Sequence, residues 1–313
     1  MIQKILDGFS VKPSYKPAAS PAALYKKRVR NFHSVPSSER QELFLRKLDM
    51  CCVVFDFSDP AKNKREKEIK RRTLLELVAY IPTASRTFHW VEVREAMRMV
   101  AANIFRTFSS STDGRTTRAS LGVDVEEEEE EPKLEPSWPH LQIVYEFLLR
   151  FVTSINTEVS FALQYIDSFI LHLLDLFNSE DPRERQSLRA VAYQVYWKFV
   201  VRRGFMRKAI KNLLYEFMYE TQKHNGIAEI LELLGSIISG FEVPLRKEHN
   251  LLFIRVLVPL HKPQCLIQYH QSLSYCIIQF VKKDNKMAGV VIRGLLKYWP
   301  RTNSLKEALF LKF

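Results

Sequence analysis

Apolar residues recur along this chain at three- and four-residue intervals, the period of an α-helix with one buried face. Phe44, Leu48 and Cys51 set the first such stripe, with Leu43 beside them, behind Ser38 and Gln41 at capping-box spacing. Asp59-Pro60 predicts a second helix start, with Asp as N-cap and Pro in the first turn. That helix carries Ile69, Leu74, Leu77 and Val78 and runs to Pro82. A third stripe, Val93, Met97, Val100, Ala101 and Ile104, predicts a helix over about residues 91–105.

The pattern lapses over residues 107–137. Ser and Thr come first, then Asp124, then Glu126, Glu127, Glu128, Glu129, Glu130 and Glu131, then Pro132 and Pro136. A long acidic loop between helices is expected there. Beyond it, Leu141, Val144, Tyr145, Leu148 and Val152 form one stripe, and Tyr165, Ile166, Phe169, Ile170, Leu173 and Phe177 the next. Asp181-Pro182 repeats the start signal and predicts a helix to about Val201. Further helices are expected at about 205–220, 226–241, 246–257, 266–282 and 286–298.

Strict sequence repeats are absent, but helix pairs recur at about the forty-residue interval of HEAT or armadillo units. The expectation is an all-α, HEAT-like (armadillo-type) solenoid over residues 37–313, behind a disordered tail at 1–36. The stretch 226–241 explains why such units stack. Ile227, Ile230, Leu231, Leu234, Ile238 and Phe241 already fill one face, and Leu233 and Ile237 widen it. A helix this apolar must be covered on two sides or offer surface to a ligand. At the end, Leu305, Leu309, Phe310 and Phe313 form an apolar face with no polar cap after it. A solenoid ordinarily closes with a polar cap, so this one reads as incomplete at its carboxyl end.

Composition sharpens this picture. Nine glycines and fourteen prolines in 313 residues are few for a sheet-rich fold. The net charge is +12, and half of it lies in residues 1–36, where Lys4, Lys12, Lys16, Lys26, Lys27, Arg28 and Arg30 face Asp7 alone. Such a tail reads as a solvated leader, with nucleic acid, anionic lipid or an import receptor as alternative contacts. No apolar run approaches a membrane span or a signal peptide. A soluble protein of the cytoplasm, the nucleus or both is expected.

Catalytic and metal chemistry find no foothold. Cys51, Cys52, Cys265 and Cys276 lack C-x-x-C spacing, and each reads as a reduced, buried core residue. The phosphate-loop, dinucleotide, zinc-protease and nucleophile-elbow motifs are all missing. His172, amid leucines, reads as a structural histidine, and the glutamate run lacks the geometry of a calcium loop. No cofactor, metal or catalytic residue is expected.

One constellation speaks for binding. Lys198, Arg202, Arg203, Arg207, Lys208 and Lys211 are interleaved with Tyr193, Tyr196, Trp197 and Phe205, and Arg246 and His249 follow the apolar 226–241 stretch. Stacked helices would set these cations beside the surplus surface of Leu233 and Ile237, which suits a short apolar–acidic peptide. A solvated basic helix face over ordinary core fits the same pattern.

Several stretches, Leu43-Phe44-Leu45-Arg46-Lys47-Leu48 and Glu135-Pro136-Ser137-Trp138-Pro139-His140-Leu141 among them, closely resemble the B′ family of protein phosphatase 2A regulatory subunits, especially plant members. Others are Phe55-Asp56-Phe57 and Ser179-Glu180-Asp181-Pro182-Arg183-Glu184-Arg185. Further on come His224-Asn225-Gly226-Ile227-Ala228-Glu229, Leu234-Gly235-Ser236-Ile237-Ile238, Tyr269-His270-Gln271 and Leu295-Leu296-Lys297-Tyr298-Trp299-Pro300. The resemblance covers residues 36–313. It implies a curved solenoid that docks on the phosphatase scaffold and catalytic subunits and is itself no enzyme. It also implies a concave groove for substrates bearing Leu-x-x-Ile-x-Glu motifs.

Carried onto this chain, the groove comprises Tyr196, Arg203, Arg207, Ile237 and His249, with Leu233 replacing an isoleucine and Arg246 a lysine. Tyr193 and Gln194 stand where the family usually has His-Arg, which removes one fixed positive charge and implies altered peptide choice. The acidic loop would lie toward the catalytic subunit. Two rival readings are a decoy that binds without completing the holoenzyme, and a helical-repeat nucleic-acid binder suggested by the pI of about 9.5. Nucleic acid is not the expected partner.

Overall fold

A computed structural model describes Tyr25, residues 30–106 and residues 132–312. Among these residues are twelve α-helices and no strand, only an isolated bridge between Phe88 and Thr157. The first three helices are α1 (Arg40–Cys51), α2 (Lys64–Tyr80) and α3 (Trp90–Ile104). After the acidic stretch come α4 (Trp138–Thr153), α5 (Val159–Asp175), α6 (Pro182–Lys198), α7 (Arg203–Glu216) and α8 (Ile227–Ser239). The chain continues with α9 (Lys247–Leu252), α10 (His270–Lys283), α11 (Lys286–Lys297) and α12 (Ser304–Phe310).

The helical stripes become the core. Phe44, Leu48 and Cys51 of α1 are buried, as are all five stripe residues of α3 and all five of α4. On α5, Ile166, Phe169, Ile170 and Leu173 are buried, while Tyr165 is half-buried and Phe177 falls in the 3-10 turn after the helix. On α2, Leu74, Leu77 and Val78 are buried; Ile69 instead packs on a small separate cluster of Tyr25, Met50 and Phe55.

Two expected starts are corrected. Ser38 lies in a 3-10 turn ahead of α1 and caps nothing. Asp59 does not cap α2 either: its carboxylate accepts from the Ala61 N–H in a local turn, and α2 begins at Lys64 behind Asn63, whose φ is 55°. Asp181, by contrast, caps α6 as expected, accepting from the Arg183 N–H with Pro182 at the first helical position.

Helices two apart in the chain pack side by side. One row runs α2, α4, α6, α8, α10, and a second runs α1, α3, α5, α7. The two rows face each other through α3–α4, α5–α6 and α6–α7 contacts, with one continuous core between them. Close approach is built into the first row. A Cβ on Gly235 of α8 would lie 2.4 Å from the Tyr275 ring of α10, so only glycine lets these helices pack so tightly.

The packed chain begins earlier than Ser38. Phe32 stacks on Tyr80 with ring centroids 4.0 Å apart, Val35 is buried, and the Tyr25 hydroxyl donates to the Met50 carbonyl at 2.7 Å. The rest of the expected tail, residues 1–24 and 26–29, lies outside the described residues. So do residues 107–131, which include Asp124 and Glu126 to Glu131. At the other end, α12 is docked by the Lys306 ammonium on the Lys262 carbonyl (2.7 Å) and by His270 Nε2 against the Leu309 carbonyl (3.1 Å). Phe310 is buried there, against the expectation of an uncovered last face, while Leu305 is exposed; Phe313 lies outside the described residues.

Candidate functional site

Four consecutive elements of the fold bring the basic–aromatic constellation together. Helix α6 supplies Tyr193, Gln194, Tyr196 and Trp197 from its last turns, and a 3-10 turn (Val200–Arg202) reverses the chain into α7. The last carbonyls of α6 have no partner within the helix. Arg203, first residue of α7, supplies one: its Nε donates to the Tyr196 carbonyl at 3.0 Å and its Nη2 to the Trp197 carbonyl at 3.3 Å. A cation is also favoured at this negative end of the helix. The same guanidinium lies 4.5 Å from the Trp197 ring centroid and 5.3 Å from that of Tyr196. Two carbonyls and two aromatic faces therefore fix Arg203, while its remaining N–H groups are unspent among the described residues.

Arg207, one turn on, donates to the Tyr196 hydroxyl (3.0 Å) and to Glu248 (2.7 Å), and sits over the Phe241 ring at 6.0 Å. His249 lies flat on the other aromatic neighbour of this group, its ring 3.8 Å from Phe241 and nearly parallel to it. Burial, then the Arg207 charge, lowers the His249 pKa, and Glu248 at 3.4 Å opposes this only weakly. Arg246 is exposed, 4.0 Å from Glu242. Tyr193 meets the edge of Trp197 at 6.0 Å. Gln194 is half-buried on α6, and no hydrogen bond or ion pair ties it to the network among the described residues.

Leu233 and Ile237 require a correction. They were expected to offer surplus apolar surface, yet each is only 1 % exposed. Helix α8 is packed by α6 on one side and α10 on the other, so the wide apolar face is spent on core. Two further members of the site, Glu248 and Phe241, were not singled out as binding residues from the sequence, whereas Trp197 belongs to the expected constellation. Glu248 and Phe241 hold Arg207 and His249 in place, and Trp197 turns out to contact Arg203, Tyr193 and the end of α8. A glutamate next to a histidine carries no periodic signal, so only the fold could pair it with Arg207.

A second polar cluster lies at the opposite end of α6. Glu184, fully buried, accepts from both Nη atoms of Arg106, from the Tyr145 hydroxyl (2.7 Å) and from the Ser179 hydroxyl. Arg106 also lies 3.1 Å from Glu135, and the Glu135 N–H donates to Asp181 at 2.9 Å. The two chain segments flanking residues 107–131 are thus tied to one buried hub. The complete burial of Glu184 under these donors marks the cluster as structural.

Comparison with known proteins now bears on this geometry. The family model for the protein phosphatase 2A regulatory B subunit (B56 family) matches residues 29–313. The chain belongs to the B56 family. It is 58% identical over 282 residues to the B′ gamma isoform of the 59 kDa protein phosphatase 2A regulatory subunit of Arabidopsis thaliana, covering 90% of this chain and 53% of that protein. It is 57% identical over 282 residues to the B′ eta isoform of the same plant, with 90% of this chain and 54% of that protein covered. To the B′ kappa isoform of Oryza sativa subsp. japonica it is 51% identical over 282 residues, covering 90% of this chain and 54% of that protein. This B56-family chain spans about half the length of the curated relatives it matches.

The family and the resemblance read from the sequence agree. Among the described residues of this B56-family chain, no group of three or more His, Cys, Asp or Glu stands close enough to hold a metal ion. Likewise, no helix is long and apolar enough to cross a membrane. The four thiols are free: Cys51 and Cys276 are buried, while Cys52 and Cys265 are only half-buried, short of the core placement expected for all four.

Proposed function

We propose that this chain is a regulatory and targeting subunit of protein phosphatase 2A, non-catalytic itself, that engages the scaffold and catalytic subunits. In this reading the two helix rows are the layers of a curved HEAT-like solenoid, and the acidic stretch from Asp124 to Glu131 lies toward the catalytic subunit. Substrate proteins are recruited through a groove formed by the ends of α6 and α8 and the start of α7. The groove takes short peptides of the Leu-x-x-Ile-x-Glu kind. Arg203, Arg207 and Arg246 select the acidic residue, Tyr193, Gln194 and Tyr196 line the approach, and Leu233, Ile237 and His249 back the apolar residues.

The observation that carries the peptide reading is the state of Arg203. A guanidinium immobilised by two carbonyls and two rings, with N–H groups left over, is a pre-organised receptor for a carboxylate. An ordinary solvated basic face would leave its arginines loose, with their side-chain entropy intact.

The experiment is a reconstitution with purified scaffold and catalytic subunits, using a full-length B′ isoform as control, together with peptide binding by the chain alone. A ternary complex that also captures the peptide is the expected result. Peptide capture without assembly would restrict the role to substrate binding, and loss of both would overturn the proposal.

A further inference from the structure

Leu233, Ile237 and Gly240 follow one another at helical spacing, so they fall on the same side of α8 and its C-cap. The first two are closed to solvent, and the third is where the closure ends. A Cβ built on Gly240 would lie 3.1 Å from Trp197 Cη2 and 3.3 Å from Trp197 Cζ2. The benzo edge of the indole therefore rests directly on Gly240, and the same point is 3.5 Å from the Ile237 carbonyl.

Trp197 itself is 38% exposed, and its other contacts are all with rings and a cation: Tyr193, Tyr196 and Arg203. It makes no hydrogen bond through its indole N–H among the described residues. A side chain held by such contacts, on the last turn of its helix, can change rotamer without disturbing the core.

We propose that Trp197 is a movable cover over Gly240 at the C-cap of α8 and thereby sets which peptides the groove accepts. This rests on the groove reading above and adds a specificity residue to it. With the indole in place, an arriving peptide meets the Arg203 guanidinium and an indole already seated on Gly240. Recognition is then led by the peptide's acidic residue, and its apolar anchor binds only by displacing the indole. The occupant is an apolar–acidic peptide because the cover is itself stacked on the cation that would receive the carboxylate. A purely apolar ligand would gain nothing from Arg203, and a purely acidic one would leave the cover shut.

The test uses the full chain and two synthetic peptides, one with the Leu-x-x-Ile-x-Glu pattern and one with its Ile replaced by Ser. The readout is the ratio of their dissociation constants by fluorescence polarisation. In Trp197→Ala the indole's place beside Tyr193, Tyr196 and Gly240 is vacated for the peptide's apolar residue. The preference for the Ile peptide should then rise about tenfold over the parent chain, the effect of burying one further large apolar side chain. Gly240→Ala should move the ratio the same way by less, because its new Cβ displaces the indole without removing it. That variant also carries the test if Trp197→Ala fails to fold. An unchanged ratio in a folded variant, with the parent chain still binding, overturns the cover and leaves the groove standing. If neither the parent nor the variants bind either peptide, the groove reading falls and the cover with it.

Discussion

Helix α6 carries an ion cluster at each end, and the two are built from the same materials. At its amino end, Asp181 and Glu184 gather Arg106, Arg183, Tyr145, Ser179 and the Glu135 N–H. At its carboxyl end, Tyr196 and Trp197 gather Arg203 and Arg207, with Glu248 as the one acid paired to them among the described residues. Acids at the start and cations at the end suit the helix dipole in both places. The difference lies in what is left over. The Glu184 carboxylate is fully buried and saturated with donors, whereas Arg203 is half-buried and keeps N–H groups in hand. Saturation makes the first cluster a fastener, and surplus donors make the second a receptor.

The largest effect should come from breaking the fastener. Glu184→Gln takes from the Arg106 guanidinium the buried carboxylate that accepts from both of its Nη atoms. Removing one partner of a buried pair costs about 3–5 kcal/mol. The urea midpoint should fall accordingly, while peptide binding per folded molecule stays unchanged. A loss below about 1 kcal/mol would mean that the hub is solvated and the contrast with the receptor end is wrong.

Next comes a pair of glycines that report how rigid each end is. A Cβ on Gly226 would lie 2.2 Å from the Phe177 carbonyl oxygen, and backbone cannot step aside. Gly226→Ala should cost about 1–3 kcal/mol, the range for forced overpacking. Gly240→Ala meets only the exposed indole of Trp197, so its cost should stay within about 0.5 kcal/mol. Equal losses in thermal melts of the two variants would show that the Trp197 side of the molecule is as fixed as the rest.

How much of this was legible in sequence follows from the same contrast. Asp181-Pro182 and Asp59-Pro60 are the same start signal, and only the first opens a helix. Asp181 is 1% exposed and held by Arg183 and the Glu135 N–H; Asp59 is exposed and settles for a two-residue turn. A capping dipeptide proposes a helix, and tertiary partners decide. The apolar stripes of α3 and α4 were fully readable because one buried face needs only periodicity. Leu233 and Ile237 were readable as apolar but not as covered, since their cover comes from helices about forty residues away. Arg203, Arg207 and His249 were legible in the basic–aromatic pattern and again in the family resemblance; the contacts they share with Tyr196, Phe241 and Glu248 required the fold.

Arg203→Lys tests the receptor directly. Lysine keeps the charge but loses the planar fork that caps two carbonyls and stacks on two rings. Affinity for the Glu-bearing peptide should drop by about tenfold or more, as expected when a hydrogen bond to a charged group worth about 1.5–3 kcal/mol is lost. The corresponding Gln peptide should be affected far less. Equal losses for both peptides in a titration series would show that Arg203 supports the fold and recognises no carboxylate.

The smallest effect separates the two ends by pH. Asp181 is pulled down to about 2, since burial, which would raise it, is outweighed by Arg183 and by the Glu135 and Arg183 N–H groups. Its contribution is therefore intact above the ordinary carboxylate range and is lost only as pH falls toward 2. His249 behaves otherwise, because burial and Arg207 disfavour its charged form. His140, His224 and His261 are pushed down to about 4, each chiefly by burial, with Lys70 and Arg185 as cationic neighbours of the first two. For these groups the unfolded chain binds a proton near pH 6.5 and the folded chain does not, so stability rises with pH across that interval. Melting temperature should therefore decline in two stages on acidification, first from about pH 6.5 to 4 and again below about 4. His249→Phe keeps the ring stacked on Phe241 and removes the proton site, so it should flatten part of the first stage and leave the second untouched. If instead the second stage moved with it, the two ends of α6 would be coupled through the helix, and their division into fastener and receptor would have to be abandoned.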